Sequence, residues 1–268
     1  MPGNTKTVIK EEVNTLKRGT VFLGSKISVN HFACNPLGRL LHTCGKESAN
    51  ANYKGGCIFV DHASGHIHVK LQSSLNSHHT LQAKKSFEEV CAANGVVPQT
   101  YLSDNGTSFV NKEFEAHLQE FHQTIRHSSV GGHHSNGVAE RSISTVMSVS
   151  RAMLHHATLH WPSVANVELW PLCDLHAVHV LNRLPREDTG RSPLEMFSRK
   201  TWPVSKFQDF HVWGCPVFVL DRTLADGHKL PRWKPRLHRC IYVGQSMKHG
   251  HAVPLVLNID TGKITGSS

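Results

Sequence analysis

The sequence has no apolar run long enough to cross a bilayer: its longest, such as Pro254 to Leu257, fall far short of the roughly 20 residues a spanning helix needs. The N-terminus carries no signal-type apolar stretch either, so a soluble, intracellular chain without a membrane partner is expected. C-x-x-C pairs are also missing. The seven cysteines (Cys34, Cys44, Cys57, Cys91, Cys173, Cys215 and Cys240) are odd in number and scattered, which supports neither a disulfide framework nor a zinc ribbon. Reduced, mostly buried thiols are expected instead. Aromatic residues are few, 7% of the chain, and Trp161, Trp170, Trp202, Trp213 and Trp233 are far apart. They read as core and packing groups, with no base-stacking array. Acidic residues are scarce as well: 20 Asp and Glu face 29 Lys and Arg, giving a formal charge of +9 and a pI near 9.3. That imbalance favours a polyanionic partner such as nucleic acid. The 22 histidines would raise the charge further in mild acid.

What is present is enough for one large or two small globular domains, with interior to spare for a self-sufficient core. Strand-like alternation marks Lys26 to Phe32, and two further strand-like runs, Cys57 to Asp61 and His66 to Leu71, are joined by a tight turn at Ala63-Ser64-Gly65. A helix is predicted from His79 to a stop at Asn94-Gly95, then a strand from Val96 to Ser103. A helix from Asn111 to His122, a strand from Thr124 to Ser129 and a Gly-containing loop from Val130 to Ser135 precede a long helix opening at Asn136. Another helix is predicted over Ser163 to Leu184 and a short one over Ser192 to Phe197. Beyond Val212, short apolar strands separated by Gly and Pro turns predict a small β-barrel.

Two acidic residues stand where side chains converge. Asp104 ends a predicted strand and Glu140 lies in the first turn of the long helix, with 35 residues between them. By themselves a turn-forming Asp and a dipole-complementing Glu explain both. Their surroundings say more. SDNGTSF (Ser103 to Phe109) and GGHHSNGVAER (Gly131 to Arg141) resemble the second and third catalytic motifs of retroviral-type integrases, as found in Ty1/copia-like LTR retrotransposons. FVDHASG (Phe59 to Gly65) resembles that family's second strand and turn, and VWGCPVFVLD through CIYVGQS its trailing β-domain.

The resemblance implies an N-terminal tail over 1–24 and an RNase H-like core over 25–184, a mixed five-stranded sheet flanked by helices. A linker over 185–206 and a small SH3-like β-barrel over 207–265 would follow. It implies DNA integration by polynucleotidyl transfer, with three carboxylates holding two Mg²⁺ or Mn²⁺ ions roughly 3.5–4 Å apart. Asp104 and Glu140 take the second and third positions as metal ligands. At the first, within KISVNHF, the family pattern expects Asp and this chain has Asn30. An amide offers one neutral oxygen and cannot bridge two cations, so impaired catalysis is expected. Asp61, on the neighbouring strand, is the alternative source of a ligand. A decayed or co-opted DNA-binding remnant is the competing reading. DNA ends and target duplex, other integrase subunits in a homo-oligomer, and a nuclear location follow from the same resemblance, although no strong basic localisation run is present. The family's N-terminal zinc module has no counterpart before residue 25.

Other features carry weaker expectations. His31, Cys34, His42 and Cys44 lack structural-zinc spacing. Arg141, Ser144, Ser148, Arg151 and His155 form one stripe of the long helix, either lying along DNA phosphates or simply solvated. Asn136 suits both DNA contact and a helix N-cap. Arg222, His228, Lys229, Arg232, Lys234, Arg236, His238 and Arg239 concentrate positive charge between C-terminal strands, as a solvated loop or a target-DNA or subunit contact.

Overall fold

The computed structural model describes residues 21–40, 52–104, 106, 108–127, 136–201, 210–246 and 253–266. Strands Ile27–Arg39 (β1), Asn52–Asp61 (β2), Ile67–Gln72 (β3), Thr100–Ser103 (β4) and Thr124–His127 (β5) build a five-stranded sheet in the order β3-β2-β1-β4-β5. The β1-β2-β3 meander is antiparallel, whereas β4 and β5 add in parallel to β1. β4 and β5 therefore end level with each other, beside the first few residues of the longer β1.

Alternation along the strands gives the sheet two apolar faces, and helices cover both. On one, Ile27, Val29, Cys57 and Phe59 pack on Ala83, Phe87 and Cys91 of α1 (Ser77–Ala93) and on Phe114 and Leu118 of α2 (Lys112–Glu120). On the other, Phe32, Ile58, Val60, Val69 and Leu71 meet Ala139 and Val146 of α3 (Gly137–His160) and Trp170, Ala177 and Val178 of α4 (Trp170–Leu181). The expected helix-flanked mixed sheet is thus present.

Helix ends follow local chemistry. The Asn76 and Asn111 carboxamides accept N–H groups from the first turns of α1 and α2. α1 stops where Gly95 takes φ +65°, a conformation open to glycine. The helix expected over Ser163 to Leu184 starts later: Asn166 caps a 3-10 turn over Val167–Leu169, and Pro171, which lacks an N–H, sits in the first turn of α4. β1 runs past Phe32 to Arg39 through a register shift between Ala33 and Gly38.

The expected C-terminal β-barrel is not formed. Pro216–Leu220 (β6), Leu237–Gln245 (β7), Pro254–Asn258 (β8) and Ile264–Gly266 (β9) make an open antiparallel sheet in the order β6-β7-β8-β9. The physical reason is that a helical layer already buries its apolar face. Ile241, Val243, Leu255 and Leu257 pack on Ala157, Leu169, Leu172, Cys173 and Trp213, so the sheet need not curl on itself to find a core. Two short helices complete the described chain, α5 (Pro193–Ser198), opened by a Ser192–Glu195 capping box, and α6 (Arg222–Ala225).

Between α1 and α2 lies a fully buried ammonium. Lys84 Nζ donates to Glu88 Oε1 at 2.7 Å and to Gln123 Oε1 at 2.6 Å, and lies 2.8 Å from His117 Nδ1. Glu88 Oε1 also accepts from Tyr101 Oη and Gln123 Nε2. Deleting one member of a buried ion pair strands the other, at a cost of about 3–5 kcal/mol. Glu88→Ala is expected to lower the free energy of unfolding by about that much in urea titration, and the apolar pair Lys84→Met/Glu88→Leu to recover most of it. A loss under about 1 kcal/mol for Glu88→Ala, the value of an exposed pair, would refute a stabilising role for this network.

Candidate active site

Parallel pairing of β1 with β4 matches Ile27 to Tyr101 and Ser28 to Leu102. Two residues further along the same register, Asn30 is level with Asp104. The Asp104 carboxylate is near enough to oppose the burial that lowers the His31 pKa. β5 braces this corner: His127 Nδ1 lies 2.8 Å from Ser103 Oγ and 3.2 Å from the Asp104 carbonyl oxygen. Asp104 Oδ1 accepts the Gly106 N–H at 3.1 Å, and a Cβ on residue 106 would stand only 2.9 Å from that oxygen.

The third element reaches this corner through Asn136. Its Nδ2 donates to the Val29 carbonyl at 3.0 Å, tying the start of α3 to the strand residue that precedes Asn30. Asn136 was expected to cap the helix; with φ −113° and ψ 16° its side chain makes no capping bond and turns to the sheet instead. One turn later, Glu140 is exposed on α3 while Ala139 is buried against the sheet. Arg141, Ser144, Ser148, Arg151 and His155 follow on the exposed side of the same helix. The Val130–Ser135 loop, together with His42 and Cys44, falls outside the described residues.

Asn30 itself is half-buried, and its single amide oxygen accepts the His31 N–H at 2.8 Å. His31 is held in turn by stacking on Phe109, centroids 4.6 Å apart, and by Thr80 Oγ1 at 3.0 Å. Among the described residues no group of three or more His, Cys, Asp or Glu side chains is arranged to hold a metal ion. The magnesium pair that the integrase resemblance implies would meet, at residue 30, an amide whose oxygen is already engaged by its own strand. That donor does not fit two bridged cations.

Asp61 does not replace the missing carboxylate. It pairs with Ile27 whereas Asn30 pairs with Ile58, which sets the two about 10 Å apart along the sheet. Its carboxylate is fully buried and occupied, Oδ1 by the Gly24 N–H at 2.9 Å, Oδ2 by the Ser64 N–H at 2.8 Å and the Ser64 hydroxyl at 2.6 Å. Asp61→Ala is therefore expected to cost about 3 kcal/mol of stability by stranding buried donors. Unchanged Mg²⁺ dependence of the folded fraction would accompany it, and a changed metal response in a thermal melt would contradict this assignment.

Sequence reasoning did not find the Ser103–His127 brace or the Asn136 tether. The only available signal was the shared register of YLS and IRH on parallel strands, which requires the pairing to be known first.

The strand order β3-β2-β1-β4-β5 and the helices on both faces give this chain an RNase H-like fold of the kind seen in integrase catalytic cores. Among solved structures, a chain of the simian T-cell lymphotropic virus intasome in complex with PP2A regulatory subunit B56 gamma aligns with a TM-score of 0.50 at 12% identity, covering 92% of this chain and 77% of that one. The HTLV-2 integrase catalytic core domain in complex with magnesium aligns over 67% of this chain and 99% of its own at a TM-score of 0.46 and 19% identity. The BIV integrase catalytic core domain does so over 70% and 99% at 0.47 and 13%. No protein-family model matches the sequence.

Proposed function

We propose that this chain is the integrase region of a Ty1/copia-like retrotransposon, built to join DNA ends to a target duplex and catalytically impaired by Asn30. The observation that supports the reading is the β1–β4 register that sets Asn30 level with Asp104, with the start of α3 tied by Asn136 to the Val29 carbonyl. The motif strings around Asp104 and Glu140 support the copia-like assignment, and the basic balance of the chain supports a DNA partner. The exposed Arg141 and Arg151 continue from Glu140 along α3, suited to phosphate contacts that position DNA without reading its sequence. Assembly with further integrase subunits and action in the nucleus belong to the same proposal. A Mg²⁺ or Mn²⁺ site would be complete only with a carboxylate at residue 30.

The experiment is a DNA end-joining assay with Mg²⁺ or Mn²⁺ on the wild type, Asn30→Asp and Asn30→Asp/Asp104→Ala. Activity restored by the first substitution and abolished by the second supports an impaired joining enzyme. A wild type as active as Asn30→Asp removes the claim of impairment. DNA binding with no activity in any variant leaves the remnant reading, in which the fold serves only as a DNA- or subunit-binding module.

A further inference from the structure

The tryptophans divide in a way their sequence positions do not reveal. Trp170 and Trp213 are buried, as core residues should be, but Trp233 is 92% exposed. Single exposed apolar residues are common and need no explanation. Here the indole sits at the third position of a turn closed by the Lys234 N–H on the Pro231 carbonyl at 3.0 Å. It is flanked by exposed Arg232, Lys234 and Arg236. Across residues 222–239 six Lys and Arg face a single Asp.

The base of this excursion is clamped. The Asp221 N–H donates to the Arg236 carbonyl at 2.8 Å, and the Asp221 carboxylate accepts the Thr223 N–H and lies 3.0 Å from His238 Nε2. Leu220 pairs with Leu237 across β6 and β7, and both are exposed beside the clamp. A braced basic turn thus carries an open indole face at its tip.

We infer that the Pro231–Lys234 turn is a docking point for single-stranded DNA, with an unpaired base stacking on Trp233 and the flanking phosphates held by Arg232, Lys234 and Arg236. Charge complementarity selects a polyanion, and the exposed ring selects among polyanions. Bases in a duplex keep their faces covered by their neighbours, so only an unstacked base can lie flat on an indole. The inference deepens the proposed function by giving its DNA substrate an unpaired segment, and it rests on that reading. The binding test is independent of catalysis, so inactivity of Asn30→Asp alongside Trp233-dependent binding would overturn the function and leave this surface standing.

Fluorescence anisotropy with labelled oligothymidylate and with a blunt duplex of equal length, over a salt series, tests the inference on the full chain. Trp233→Ala is expected to weaken oligothymidylate binding about tenfold or more, with its salt dependence unchanged and duplex binding unaffected. Trp233→Phe should retain most of the affinity. Replacing Arg232, Lys234 and Arg236 by Gln should weaken both ligands and flatten the single-strand salt slope by about two. Because the turn is exposed, circular dichroism should be unchanged in all three. Wild-type affinity in Trp233→Ala, or equal loss for both DNA forms, would overturn the inference. So would a change in oligomeric state on Trp233→Ala, which would make the turn a contact between copies of this chain.

Discussion

Asn30→Asp is expected to raise DNA joining by about a hundredfold or more, because a metal bound at the reacting phosphate contributes several kcal/mol and each 1.36 kcal/mol is tenfold in rate. The substitution is isosteric, so the change is one of charge. In the wild type, the amide oxygen accepts the His31 N–H, and the strand register sets Asn30 level with Asp104 at the end of β4. An aspartate would add a negative charge beside Asp104. Without metal these charges repel and lower stability; with divalent cation they become the binding energy. Asn30→Asp should therefore melt below the wild type in chelator and gain several degrees on addition of Mg²⁺, while the wild type gains little. Equal Mg²⁺ shifts in both proteins would show that residue 30 is not part of a cation site, whatever the joining assay gives.

Acidification is the second large effect. His66, His68 and His176 are buried, and desolvation lowers their pKa values to about 3, 4 and 4. His66 stacks on Phe197, His68 packs beside Phe59 and Phe87, and His176 meets the Tyr242 ring edge-on. Each has a ring nitrogen without a hydrogen-bond partner among the described residues. The unfolded chain takes up these protons below about pH 6.5 and the folded chain does not. Stability is thus fully present above pH 6.5 and falls as the pH drops toward 4, by on the order of 3 kcal/mol per histidine.

Asp174 works the other way. Burial raises its pKa to about 7, so the folded state holds a proton that the unfolded state has lost above pH 4. Its stability contribution grows as the pH falls from 7 and offsets about one histidine. Near pH 5 the unfolded chain binds close to two more protons than the folded one, a slope of about 3 kcal/mol per pH unit. Against a typical total of 5–15 kcal/mol, the protein should lose about 5 kcal/mol of its stability between pH 6 and 4. Urea titrations across that range should show the slope, with His68→Tyr and His176→Gln each making it shallower. A stability that stays flat from pH 7 to 5 would mean these rings are not held neutral by burial.

Much of the architecture was legible because its signals are local. The Ala63-Ser64-Gly65 turn, the Asn94-Gly95 stop and the apolar run in CIFVD are written in neighbouring residues, and each lies where expected. The barrel was misread for the opposite reason. CPVFVL, RCIYVG and VPLVLNI are the same short apolar runs whether a sheet closes on itself or lies against helices. The choice depended on α4 and Trp213 supplying the missing cover. Asn136 was misread similarly: Asn before a helix signals a cap, and only the nearby Val29 carbonyl redirects it.

By itself the sequence determined the chemistry on offer: a basic chain, carboxylates at 104 and 140, and an amide at 30, since residue type sets charge and ligand capacity wherever the chain goes. The tertiary structure alone decided that Asn30 lies level with Asp104. It tied Asp61 into a turn about 10 Å away along the strands, left three histidines without water, and set one tryptophan of a basic loop in the open. Those outcomes depend on strand register and on what packs against each face, quantities that arise only when distant segments meet.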